Sequence, residues 1–112
     1  MNLFEISYDV ENAYVTSPGQ ALERLVSALV HQLDATMINR FVASTLVFGT
    51  TRNYFEVLQV INQWAEANRV WFVIGQILPN EDRVRFYYTM RKDASLQAEV
   101  DDYMSRARRG ML

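Results

Sequence analysis

Hydrophobic and polar positions alternate from Leu3 to Val10, with Phe4, Ile6, Tyr8 and Val10 on one side and Glu5, Ser7 and Asp9 on the other. Strand side chains repeat every second residue, so this pattern predicts a half-buried strand with an acidic outer face. A polar loop over residues 11–16 leads to Ser17-Pro18-Gly19-Gln20. Serine as N-cap, proline at the first helical position and glutamine at the third spell a capping box. Behind it Leu22, Leu25, Val26, Leu29, Val30 and Leu33 recur at helical spacing and predict one apolar face.

Residues 36–50 read as strand, with Met37, Ile38, Phe41 and Val42 followed by Leu46, Val47 and Phe48. The stretch is long for one strand, so a hairpin break is expected near Ala43 to Thr45, although no Asn-Gly or Asp-Gly turn marks it. A second helix is expected from Arg52 to Ala67, capped by Asn53 with Glu56 three residues on. Tyr54, Val57, Leu58, Ile61, Trp64 and Ala65 would form its inner face. Arg69 to Leu78 is an almost continuous apolar run and predicts a central strand covered on both faces. Pro79-Asn80-Glu81-Asp82 predicts a turn, and Arg83 to Thr89 a further strand in which Val84, Phe86 and Tyr88 alternate with Arg83, Arg85 and Tyr87. From Asp93 to Arg109 the chain reads as a tail helix with a thin stripe of Leu96, Val100, Tyr103 and Ala107. Arg106, Arg108 and Arg109 precede Gly110, the chemistry of a helix carboxyl end.

Strand, helix, strand pair, helix, strand is the order of a β-α-β-β-α-β ferredoxin-like sandwich. That is an α+β fold with two helices on one face of an antiparallel sheet, here with an extra C-terminal strand and tail helix. The expected division is a ferredoxin-like domain over residues 1–90 and a helical tail over 91–112. Its expected core holds Phe4, Ile6, Leu25, Leu29, Leu58, Ile61 and Val73. Helices on one face leave the other face of the sheet open, and apolar surface there calls for a cover. The tail helix, the last hairpin or a second copy is expected to supply it, so the chain is expected to form a homodimer.

Composition narrows the chemistry. At 112 residues, half of them hydrophobic, the chain makes one domain with a core of its own. The absence of cysteine excludes disulfides, thiolate zinc sites and cysteine nucleophiles. A single histidine, His31, excludes a multi-histidine metal site within one subunit. Glu5 and Asp9 interrupt what would have to be the apolar run of a signal peptide, and no stretch is apolar for the length of a membrane span. A soluble cytoplasmic protein without a membrane partner is expected. The formal net charge of -2 lacks the excess of a free-standing nucleic-acid binder, so any such contact is expected to be weak or shared with a partner. Ten of the eleven basic residues are arginine, which suits both bidentate phosphate contacts and ordinary surface ion pairs.

Ile6-Ser7-Tyr8-Asp9 at the end of the first strand, together with Arg40-Phe41-Val42-Ala43-Ser44-Thr45, resembles the small CRISPR-adaptation nuclease-like family and the related VapD-type toxins and SinR-like proteins. The resemblance spans residues 3–78 and rests on Tyr8, Asp9, Arg40 and Ser44. It implies a ferredoxin-like dimer in which strand-end aspartates of two subunits face each other and hold Mg²⁺ or Mn²⁺ for phosphodiester cleavage. Carried over, the catalytic and metal-binding residue is Asp9, shared across the dimer. Two hard carboxylates plus phosphate suffice for a magnesium ion that keeps several waters. The chain departs from the pattern in its longer loop after Asp9, its lack of a basic surface and its added tail helix.

Each candidate residue also has a plainer role. Asp9 at a strand end is suited to capping the following loop. Glu5 on the same face reads as a solvated or interface carboxylate, and Ser44 has no base beside it. His31 near a helix carboxyl end is favoured there electrostatically. Trp64, Trp71, Tyr87 and Tyr88 could stack on bases, yet at this spacing they read as core or interface. Arg40, Arg106, Arg108 and Arg109 are the candidate nucleic-acid contacts, although Asp102 stands four residues before Arg106 for a helix ion pair. Three readings follow. The first is a non-catalytic dimeric scaffold in a nucleic-acid-related assembly. The second is an Asp9-centred metal-dependent endonuclease or toxin, and the third a mobile-element regulator that binds another protein. The first ninety residues hold nine acidic and six basic side chains, which favours the readings without catalysis.

Overall fold

The computed structural model describes residues 1–78, 83–87 and 94–111. Its elements run β1 (Asn2–Val10), α1 (Pro18–Leu33), β2 (Met37–Val42), β3 (Thr45–Thr50), α2 (Tyr54–Asn68), β4 (Val70–Leu78), β5 (Arg83–Tyr87) and α3 (Ala94–Arg108). The strands form one sheet in the order β2-β3-β1-β4-β5, with every neighbouring pair antiparallel. This is an α+β fold in which α1 joins β1 to β2 and α2 joins β3 to β4.

Local chemistry sets the helix limits. Ser17 Oγ accepts from the Gln20 backbone N–H at 3.1 Å while Gln20 Oε1 accepts from the Ser17 N–H at 3.1 Å, so the capping box closes as spelled. A second box closes α2, where Asn53 Oδ1 accepts from the Glu56 N–H at 2.9 Å. Because Asn53 serves as the cap, α2 starts at Tyr54 rather than at Arg52. Arg52 instead clamps two helix ends, with Nη2 at 2.8 Å from Asp34 at the end of α1 and Nη1 at 3.2 Å from Glu56 in α2. These carboxylates hold the Arg52 guanidinium above its ordinary pKa, chiefly through its hydrogen bond to Asp34. The hairpin between β2 and β3 turns at Ala43-Ser44, inside the expected window.

Both main helices pack on one face of the sheet. Phe4, Ile6 and Tyr8 of β1 lie beneath them with Leu46 and Phe48 of β3 and Phe72 and Ile74 of β4. Leu25, Leu29 and Leu33 of α1 and Val57, Ile61 and Trp64 of α2 close this core. Phe4 and Phe48, paired across the strands, stack with ring centres 5.4 Å apart. Of the expected core, Phe4, Ile6, Leu25, Leu29 and Ile61 are fully buried and Leu58 is partly buried against them.

Three expectations need correction. Val73 is 44% exposed, because it pairs with Ser7 on the face that no helix covers. For the same reason β4 is not covered on both faces: Val70, Phe72 and Ile74 point inward, while Trp71 is half-buried on the other side. Val30 is exposed, and Ala21 and Ala28 take part in the buried face of α1 instead. The buried face of α1 thus runs along Ala21, Leu25, Ala28 and Leu29 and leaves Val30 outside it. The last strand ends at Tyr87, whereas Tyr88, Thr89 and the turn expected at residues 79–82 lie outside the described residues.

The face away from the helices carries Leu3, Glu5, Ser7 and Asp9 of β1, Thr45 and Val47 of β3 and Trp71, Val73 and Ile77 of β4, as their register dictates. No described element packs over it. Among the described residues the tail helix α3 has no extensive packing against the sheet and is exposed along almost its whole length. Gly110 follows it with φ +71°, a left-handed position that glycine adopts without strain.

Candidate functional site

Tyr8, Asp9, Arg40 and Ser44 come together at one place, the carboxyl end of β1. Three elements and a turn meet there: β1, the start of α1, β2, and the Ala43-Ser44 turn that follows it. They border an open depression of about 220 Å³, which Pro18, Gly19 and Leu22 of α1 complete. The Tyr8 N–H donates to the Ser44 carbonyl at 3.0 Å, and this fixes the hairpin turn against β1. The Arg40 guanidinium donates from Nε at 3.1 Å and from Nη2 at 2.8 Å to the Ala43 carbonyl, so it holds the same turn from within. Two of its five N–H donors are therefore spent on the backbone. The side chain itself is exposed on the helix-covered side of the sheet, in register with Leu46.

Tyr8 is 7% exposed, its ring edge-on to Trp64 with centres 5.4 Å apart. Burial pushes the Tyr8 phenol above its ordinary pKa, and the Arg40 guanidinium partly offsets that by favouring the charged form.

Asp9 occupies the other face. Its register partner is Trp71 on β4, and along β1 it follows Glu5 and Ser7. Both carboxylates are exposed. Asp9 caps nothing in the following loop; that loop is held by Asn12, whose Oδ1 accepts from the Tyr14 N–H at 2.9 Å. The Ser7 and Thr45 hydroxyls share a hydrogen bond of 2.9 Å across the strands. Among the described residues no three carboxylate or imidazole groups gather closely enough to hold a metal ion. Asp9 thus stands without a ready-made ligand cluster among the described residues, and the shared site that the resemblance implies would draw its second carboxylate from another copy.

The remaining candidates are scattered. His31 is exposed in the last turn of α1, remote in the chain from Ser44. Trp64 is buried and donates its indole N–H to the Ala21 carbonyl at 3.0 Å, so it is core rather than a platform for bases. Tyr87 closes β5, and Tyr88 lies outside the described residues. Arg106, Arg108 and Arg109 sit at the end of α3, where Arg106 lies 3.9 Å from Asp102 and 6.0 Å from the centre of the Tyr103 ring. These are ordinary helix-end interactions. Sequence reasoning missed Trp71 as the cross-strand neighbour of Asp9, since register between β1 and β4 leaves no local mark in the chain.

Among the described residues, no helix is long and apolar enough to cross a membrane. No family model, curated protein or solved structure matches the chain.

Proposed function

We propose that this protein is a small non-catalytic interaction module whose open sheet face joins two copies into a homodimer. Its place is a cytoplasmic, nucleic-acid-related assembly, as the resemblance to CRISPR-adaptation and SinR-like proteins implies. The observation that carries the reading is the open face itself. Val73 is 44% exposed there and Trp71, Val47 and Leu3 are half-buried, an apolar surface that water would otherwise cover. The ferredoxin-like topology is part of the proposal: the order β2-β3-β1-β4 with antiparallel neighbours supports it, and β5 extends the sheet at one edge.

The nuclease reading rests on one observation, that Glu5 and Asp9 stand on the same open face that a second copy would meet. Against it, the described residues of β1 to β4 on that face include no arginine, lysine or histidine to hold a phosphate. Sedimentation velocity from micromolar to tens of micromolar protein tests the proposal, because such affinities need only a modest surplus of interface energy. A species of about twice 13.0 kDa is expected. A monomer throughout overturns it.

A further inference from the structure

We infer that the depression at the carboxyl end of β1 binds a small organic monocarboxylate. Tyr8 and Arg40 hold the carboxylate, and the apolar body lies against Val10, Pro18 and Leu22. The inference concerns a different surface from the open sheet face and does not depend on the dimeric reading above.

The Tyr8 hydroxyl carries the inference. Tyr8 is 7% exposed, yet its hydroxyl has no hydrogen-bond partner among the described residues. A tyrosine this deep ordinarily finds one, because its polar tip loses water on burial. Every buried side-chain oxygen or nitrogen among the described residues is bonded, so this hydroxyl reaches open space. The depression of about 220 Å³ is the space that Tyr8 borders. Arg40 stands on the same rim. Its two bonds to the Ala43 carbonyl leave three of its five N–H groups to donate elsewhere. Those bonds also fix the guanidinium, so a ligand finds it already ordered. Its charge favours the ionised Tyr8 phenol, which sets the two groups within electrostatic reach of each other.

Size, lining and charge narrow the ligand. The volume falls below the roughly 300–1,000 Å³ of sites for drug-sized molecules, so it suits one ring or a short chain. Val10 and Leu22 are half-buried on its wall, which favours an apolar body. Arg40 is the one basic residue that borders the depression, and Asp9 borders it as well. One guanidinium against one carboxylate leaves no surplus positive charge for a phosphate dianion. A monocarboxylate asks for less: its two oxygens accept from the remaining Arg40 N–H groups and from the Tyr8 O–H. Gly19 in the first turn of α1 lies on the same wall, where a helix start favours a negative group.

Benzoate tests the site, with benzamide and phenyl phosphate as its neutral and dianionic counterparts. Each is titrated into the isotopically labelled full chain at neutral pH, and backbone amide signals are followed by NMR. Benzoate is expected to move the Gly19, Leu22 and Ser44 signals together, with a dissociation constant of about one millimolar. Benzamide and phenyl phosphate are expected to bind more weakly. Tyr8→Phe removes only the unbonded hydroxyl and is expected to weaken benzoate about tenfold, as is Arg40→Gln. Asp9→Asn relieves a like charge at the rim and is expected to strengthen it about twofold. Thermal melts establish that each variant is folded. Should Arg40→Gln loosen the turn, Tyr8→Phe and Asp9→Asn still decide, because neither changes an atom that is bonded among the described residues. Amide signals at the depression that stay still at tens of millimolar benzoate overturn the site. A folded Tyr8→Phe variant that binds benzoate like the wild type overturns it too. Phenyl phosphate or benzamide binding as tightly as benzoate overturns the monocarboxylate assignment.

Discussion

Trp64 of α2 donates its indole N–H to the Ala21 carbonyl in the first turn of α1, at 3.0 Å and inside the core. One hydrogen bond thereby ties the two helices together above the sheet, and the same indole ring meets Tyr8 of β1 edge-on. A buried donor of this kind needs its acceptor, since water cannot replace it.

Trp64→Phe removes that donor and part of the ring volume together. The expected loss of stability is about 2 kcal/mol, combining a lost hydrogen bond with a small cavity. Urea unfolding followed by circular dichroism measures it. The midpoint should fall with little change in slope, because the native and unfolded surfaces stay nearly the same.

Local chemistry explains which parts of the fold could be read from the chain. Both capping boxes, Ser17 with Gln20 and Asn53 with Glu56, were legible because every atom in them lies within four residues. The turn at Ala43-Ser44 was placed by strand length alone, without a turn signature. Val73 shows where such reasoning stops. An apolar run looks the same whether it is covered on one face or two, and coverage depends on where distant helices settle. Val30 makes the same point for a helix, where Ala21 and Ala28 were too small to attract attention as core. At the site, Tyr8, Asp9, Arg40 and Ser44 were singled out as residue types and do gather at one end of β1. The pairing that puts Asp9 opposite Trp71 belongs to sheet register, which the strand's own pattern does not encode.

Alkaline pH should expose the burial of Tyr8. Its folded pKa is raised above the ordinary value of 10.0, first by burial and against a smaller opposing effect of Arg40. A group with a raised folded pKa contributes stability that is complete below its unfolded pKa and is lost as pH rises through the folded value. The chain should therefore lose stability progressively above about pH 10. Tyr8→Phe removes that ionisation, so thermal melts of the variant should depend less on pH between about 9 and 11 than those of the wild type. A steeper alkaline loss in the variant would contradict the assignment.

The nuclease reading passes through Asp9, and the surroundings of Asp9 argue against it. Its neighbours on the open face are Ser7 along the strand and Trp71 across it, with Glu5 the next carboxylate along β1. A phosphodiester approaching that face meets Glu5 and Asp9, whereas Arg40 is in register with Leu46 of the helix-covered side and is bonded to the Ala43 carbonyl. Electrostatic repulsion at that point lowers the local concentration of an anionic substrate. Short RNA and DNA incubated with Mg²⁺ or Mn²⁺ should therefore remain uncut by the wild type and by Asp9→Ala alike, and Asp9→Ala should melt within about 0.5 kcal/mol of the wild type, as an exposed side chain without a hydrogen-bond partner among the described residues allows. Cleavage by the wild type that disappears in a folded Asp9→Ala variant would establish the metal-dependent nuclease instead, and the carboxylates of the open face would then be the site at which two copies share a cation.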